Sequence, residues 1–230
     1  MTAAITTPPP PSDNKSADAP AKLTPSGLAA LLCARICHDL VSPVSALGTA
    51  LEVLGDEDNP DMHADALDLV KLSAAQASSK LQYLRLAFGA GGSAPGVIGL
   101  DQVRELVDGL YGEGKVEVRI SDDLGTLSKD AVRLLLNLVM LAVGSVPRGG
   151  SVHVRRGEGA NVLELVSEGP KARLAEDVAK PLRGGAPTGG FDGRSIQPFY
   201  TNLLAREMGG KVSAEAGEET VVFRAELPAL

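Results

Sequence analysis

One feature constrains the fold of this 230-residue chain more than any other: two long amphipathic stripes separated by a single short break. Thr24-Pro25 reads as an N-cap with proline at the first helical position. Leu28, Leu32, Ile36, Leu40, Val44, Leu47, Leu51 and Leu54 then recur at three- and four-residue spacing. Gly55-Asp56-Glu57-Asp58-Asn59-Pro60 stops that helix. A second stripe follows through Met62, Ala66, Leu69 or Val70, Ser73, Ala77, Leu81, Leu84 and Phe88, and ends at Gly89-Ala90-Gly91-Gly92-Ser93. Two long helices joined by a short polar loop form an antiparallel hairpin. Each helix of a lone hairpin has only one face covered, and two hairpins together complete a four-helix bundle, so a homodimer is expected.

Residues 1–24 are rich in Pro, Ala, Ser and Thr and contain the run Pro8-Pro9-Pro10-Pro11. Such a segment cannot bury enough apolar surface to offset its ordering entropy and reads as a disordered tail, with a PxxP ligand as the functional alternative. After Gly99 the pattern alternates. Leu100–Tyr111 reads as a helix, Lys115–Ile120 as a strand, and Ser128–Val143 as a strongly apolar helix capped by Ser128. Ser151–Arg156 and Val162–Val166 read as strands joined at Gly157-Glu158-Gly159. A glycine-rich loop spans Arg183–Gly193, helix Ser195–Met208 stops at Gly209-Gly210, and strands Lys211–Ala216 and Thr220–Leu227 close the chain. Strands with helices over one face make an α+β sandwich. The expected organisation is a tail (1–24), a helical hairpin (25–90) and an α+β unit (99–230).

Composition narrows the partners. The formal net charge is −7 and only 3% of residues are aromatic. Neutralising phosphates needs clustered Lys and Arg, and base stacking needs aromatic platforms, so nucleic acid is not the expected ligand. No run approaches the roughly 18 apolar residues of a membrane span. The N-terminus also lacks a charged segment followed by an apolar one. A soluble, cytoplasmic protein without a membrane partner is therefore expected. Cys33 and Cys37 are four apart on a helix, on one face but wrongly aimed for a disulfide. A metal site of these two with His38 lacks a second ligand pair downstream, so no metal of the protein's own is expected.

The stretch richest in chemistry is Arg35-Ile36-Cys37-His38-Asp39-Leu40-Val41-Ser42-Pro43. His38 lies about 200° around the helix from Ile36 and projects away from the core stripe, beside Arg35, Asp39, Ser42 and Ser45. A solvent-facing imidazole is largely neutral near pH 7 and can attack phosphorus. Asp39 can hydrogen-bond the ring and set its tautomer, and Arg35, one turn back, can neutralise a transferring phosphoryl group. Pro43 has no N–H to give the Asp39 carbonyl and is expected to kink the helix. A proline inside a helix costs roughly 3 kcal/mol, an odd choice unless the bend has a use.

His38-Asp39-Leu40-Val41-Ser42-Pro43 resembles the H-box of sensor histidine kinases, on the first helix of a hairpin as that family requires. The second half resembles the kinase catalytic (GHKL) domain. Leu134–Ala142 is similar to its N-box, and Met208–Val212 with Phe223–Pro228 to its closing hairpin. Two departures matter. The metal-holding second N-box Asn falls on Leu141, which cannot ligate a hard cation. The Asp-x-Gly-x-Gly box that reads adenine falls on Ser167-Glu168-Gly169-Pro170-Lys171, losing its carboxylate and its second glycine. The glycine loop is not followed by the Lys-Ser/Thr of a phosphate-binding loop.

An intact acceptor His before a degenerate catalytic domain resembles the ChpT-type histidine phosphotransferases of α-proteobacterial phosphorelays. The resemblance implies that His38 takes a phosphoryl group from a receiver-domain aspartate of an upstream hybrid kinase and passes it to downstream response regulators. It implies no cofactor of the protein's own, with Mg²⁺ supplied on the receiver. Ser42, Ser45, Thr49 and Glu52, beyond His38 on its face, are where a receiver would dock. His63 reads as a surface residue of the second helix's first turn, His153 as a solvent-facing strand position, and Asp56-Glu57-Asp58 as a solvated loop. An ATP-dependent autokinase and a non-catalytic receiver-binding protein are the competing functions.

Overall fold

The computed structural model describes residues 23–89, 96–159 and 161–229. The expectation for residues 1–22, and for most of the glycine run after the second stripe, lies outside them. Helix α1 (Pro25–Leu54) runs unbroken through Pro43, capped by Thr24, whose hydroxyl accepts the Gly27 N–H at 3.1 Å. Helix α2 (His63–Ala87) returns beside it after a single 3₁₀ turn at Pro60–Met62. The acidic loop between them is built rather than merely solvated. The Asp56 carboxylate accepts from the Asn59 amide at 2.7 Å and the Asp58 N–H at 3.0 Å, which hold its carboxyl below the usual range. His63 hydrogen-bonds the Asp56 carbonyl at 2.9 Å, tying the first turn of α2 back to the loop.

The face that α2 covers differs from the stripe read off the sequence. Pro43 and Ala50 are the buried residues of α1, whereas Val44 and Leu51 are 56% and 58% exposed. Each four-residue step advances about 40° beyond a full turn. A run of four such steps from Leu28 therefore carries Val44 off the covered side, and Pro43 and Ala50 fall at its centre. Leu69 and Leu81 of α2 are exposed for a similar reason, as is Met62 in the turn before it, while Ala66, Ser73 and Leu84 are buried. Because α1 is apolar on both sides, it holds an 18-residue window of mean hydropathy 1.4. By length and composition it could cross a membrane, contrary to the sequence reading.

Beyond the hairpin lie α3 (Leu100–Tyr111), β2 (Val116–Ile120), α4 (Lys129–Gly144), β4 (Gly150–Arg156), β5 (Val162–Glu168), α6 (Ile196–Glu207), β6 (Lys211–Ala216) and β7 (Thr220–Glu226). Three elements escaped the sequence. β1 (Val97–Ile98) pairs antiparallel with β3 (Leu127–Ser128), and α5 (Glu176–Leu182) precedes the glycine loop. The main sheet has the order β2-β4-β5-β7-β6, parallel only between β2 and β4. That parallel pair needs a crossover, which α4 supplies across one face. Alternation sends Val152, Val154, Leu163, Leu165, Val221 and Phe223 to that face, against Leu134, Leu135 and Leu138 of α4.

The opposite face is polar. Glu164 accepts from Arg155 at 2.7 Å and from Arg224 at 2.8 Å. Burial pushes its carboxyl up, but the two guanidiniums outweigh that and leave it below the ordinary glutamate range. His153 lies on the same face, half-buried between Arg119 and Val166 on the flanking strands.

The hairpin is built into this layer. Tyr83 and Ala87 of α2 belong to the same core as α4 and the sheet. The Tyr83 hydroxyl donates to the Leu136 carbonyl at 2.8 Å, and the Asn137 amide donates to the Ala87 carbonyl at 2.7 Å.

Candidate functional site

Three side chains of α1 form the centre of the site. His38 is 67% exposed, and its Nδ1 lies 3.3 Å from Asp39 Oδ1. The other carboxylate oxygen of Asp39 accepts from Arg35 Nε at 2.8 Å, an i,i+4 pair in which both partners are about one-fifth exposed. The carboxylate thus bridges a guanidinium and the imidazole, which assigns the Nδ1–H tautomer and leaves Nε2 with a free lone pair. Arg35 and Asp39 lie beside His38 but are far less exposed than it. The partly buried Tyr111 of α3 lies within their fields. Burial pushes the Tyr111 hydroxyl well up, with Arg35 pulling it down and Asp39 adding to the rise. Tyr111 meets Tyr83 edge-on, ring centroids 5.9 Å apart.

A fourth residue was missed. Pro43 cannot donate to the Asp39 carbonyl, and the Lys80 ammonium of α2 donates to that oxygen at 3.0 Å. A Lys on the facing helix, level with a helix-interior proline, was the available signal. It went unread because a carbonyl's missing partner is visible only when the register of α1 against α2 is known.

Ser42, Ser45, Thr49 and Glu52 are all exposed and continue from His38 as one line along α1. Among them the Thr49 hydroxyl donates to the Ser45 carbonyl at 3.3 Å. Cys33 and Cys37 are exposed free thiols, and among the described residues no cluster of three or more His, Cys, Asp or Glu could hold a metal ion.

His38 also faces the α/β layer. A cavity of about 320 Å³ opens between α1 and that layer, lined by Arg35, His38, Asp39, Leu141, Arg173 and Arg194, with others. Leu141 presents a branched apolar side chain where the resembled kinases place a metal-holding amide. Ser167 is buried, and its hydroxyl donates to the Ala142 carbonyl at 3.0 Å, a bond internal to the fold. Lys171, at the place of the second glycine of that box, keeps a left-handed backbone with φ of 60°. Gly169 is retained for a reason unrelated to ligands, because a Cβ there would collide with the Gly149 carbonyl oxygen.

An exposed imidazole held by Asp39 thus stands on a helical hairpin joined to a helix-and-sheet layer, and comparison with known proteins places the chain in a family. Residues 100–220 match the histidine phosphotransferase C-terminal domain. The chain is 40% identical over 210 residues to the protein phosphotransferase ChpT of Brucella abortus (strain 2308), covering 90% of this chain and 99% of that one. A solved structure of a bacterial phosphotransferase superposes with a TM-score of 0.76 at 35% identity, over 90% of this chain and 99% of that one. The chain belongs to the histidine phosphotransferase family, and it is a phosphotransferase.

Proposed function

We propose that His38 carries the phosphoryl group between receiver domains of a phosphorelay. The observation that supports this most is an exposed imidazole whose Nδ1 is engaged by Asp39, itself anchored by Arg35. In the forward step the Nε2 lone pair attacks the phosphorus of a receiver's aspartyl phosphate. The P–O bond breaks, the aspartate leaves as a carboxylate with the electron pair, and an N–P bond forms. Asp39 stabilises the positive charge that develops on the ring. A receiver bearing Mg²⁺ supplies the remaining charge neutralisation, so the protein needs no cofactor of its own. The reverse of the same step delivers the group to response regulators.

The reading extends to assembly. Val41, Val44 and Leu51 of α1, with Leu67 and Leu72 of α2, expose an apolar surface that a second hairpin would cover in a homodimeric four-helix bundle. His38 would remain outside that seam, with Ser42, Ser45, Thr49 and Glu52 forming the receiver's track. Residues 25–90 would then be the dimerisation and phosphotransfer unit and 99–230 a degenerate kinase-like unit, with 1–24 a tail. Leu141 and Ser167 favour a domain that binds no ATP, since Leu141 offers no metal ligand and Ser167 no ionised carboxylate. A cytoplasmic protein whose partners are proteins, with no nucleic acid or membrane among them, fits this role.

The test is phosphoryl transfer from a ³²P-labelled, phosphorylated receiver. Wild type is expected to take the label in acid-labile, base-stable form, and His38→Gln to take none while unfolding within about 0.5 kcal/mol of wild type, as exposed substitutions do. Labelling by Mg²⁺-ATP alone would point to an autokinase, and an unlabelled wild type to a receiver-binding protein.

A further inference from the structure

The cavity beside His38 holds more cationic groups than the hairpin chemistry uses. Besides Arg35, which is engaged by Asp39, it is lined by Arg173 and Arg194 of the α/β layer. Both of these are exposed, and among the described residues neither guanidinium has a hydrogen bond or ion pair. The charged groups of the cavity are Arg35, Arg173 and Arg194 against Asp39 and Asp177, with His38 at its edge. The balance is positive in a protein whose formal net charge is −7.

The chain is arranged to hold Arg194 at this place. The Asp192 carboxylate accepts the Arg194 N–H at 3.0 Å, the Ser195 N–H at 2.7 Å and the Ser195 hydroxyl at 2.6 Å, which fixes the backbone where the glycine-rich loop enters α6. Those bonds also hold the Asp192 carboxyl below its usual range. The adjoining Gly193 lies against α1, where a Cβ would stand 3.7 Å from the Arg35 nitrogen and 3.8 Å from its Cα. The loop therefore delivers Arg194 to α1 one turn before His38, with an anchored backbone and an uncommitted guanidinium.

We propose that Arg194, assisted by Arg173, binds the phosphoryl group while it resides on His38, so that the α/β layer completes the phosphohistidine site. A guanidinium matches phosphate oxygens through paired N–H donors, and a part-enclosed cavity screens the attraction less than open water. The layer would then take part in phosphoryl chemistry without binding a nucleotide. The inference rests on His38 as the phosphoryl acceptor, but it needs no receiver.

That independence sets the experiment. The full chain is phosphorylated with phosphoramidate. The His38 Nε2 lone pair attacks phosphorus, the P–N bond of the reagent's ammonium form breaks, ammonia leaves with the electron pair, and a new P–N bond forms. ³¹P NMR then follows the phosphohistidine resonance across pH. In Arg194→Met the phosphate's second ionisation is expected about one unit higher than in wild type, with Arg194→Lys in between and Arg173→Met/Arg194→Met higher still. Circular dichroism, unchanged across the set, separates this from a loss of fold.

Superimposable titrations in wild type and Arg194→Met would overturn the proposal, including the case in which Arg194 only docks a receiver, because none is present. Failure of phosphoramidate to label His38 would overturn it as well. If the titrations differ as expected while no receiver donates to His38, the phosphorelay reading fails and this one stands.

Discussion

Helices α1 and α4 are both rich in Leu and Val, yet they live differently. Ten of the sixteen residues of α4 are buried, including Leu134, Leu135, Leu136 and Leu138. Of the thirty residues of α1, only Pro43 and Ala50 are. The α/β layer covers α4 on several sides with strands and helices of the same chain, whereas α1 has α2 along one face and only the edge of the layer near Arg35. A helix can therefore be strongly apolar for two reasons: it is enclosed by its own chain, or it keeps a face for another. His38, the proposed phosphoryl acceptor, sits on the helix with the less complete packing, where a protein-sized partner can reach it.

The contrast can be broken first by deleting core volume. Phe223→Ala, at a fully buried position in the core that α4 shares, is expected to cost about 3–5 kcal/mol in urea unfolding. An equal cost for Val44→Ala measured on monomer would contradict the difference drawn between the two helices. The next effect belongs to assembly. Val44→Asp with Leu51→Asp should convert a dimer to monomers in sedimentation velocity, since each of those side chains gives up roughly 2 kcal/mol of burial. Secondary structure should persist, because neither residue is buried in one chain.

A smaller effect is expected at the facing helix. Lys80→Met leaves the Asp39 carbonyl without its donor and should cost about 1–2 kcal/mol. It should also slow labelling of His38 more than Lys80→Arg does. The smallest effect is a slope against pH on the open face of the sheet. Glu164 titrates below its unfolded value, so its contribution is fully present above about pH 4.3 and is lost as pH falls through the lower folded value. Glu164→Gln should flatten the acid limb of stability against pH without altering phosphoryl transfer.

Much of this was legible in the chain itself. Thr24 and Ser128 mark helix starts because each hydroxyl has a backbone N–H three residues on to satisfy. The alternation of β2 and β4 was plain because one face of the sheet is covered and the other is wet. The H-box residues also stood out, since a proline five residues after an exposed His is costly unless the position matters. α5 was not legible: seven residues with Pro181 inside carry too little periodicity, and tertiary packing buries Pro181 and Leu182. Two-residue β1 and β3 have no pattern of their own and exist because their backbones meet.

The sequence by itself determined the longer helices and strands and the order of residues around His38, because capping, periodicity and the chemistry of proline act over a few residues. Only the tertiary structure decided which faces were covered. A 40° drift per four-residue step cannot be assigned to a side until a second helix lies against it. The structure alone also brought Lys80 to the Asp39 carbonyl and Arg173 and Arg194 to the cavity beside His38. Those partners are 41, 135 and 156 residues from Asp39 or His38 along the chain. Nothing local joins groups so far apart; the shared core of α2, α4 and the sheet does.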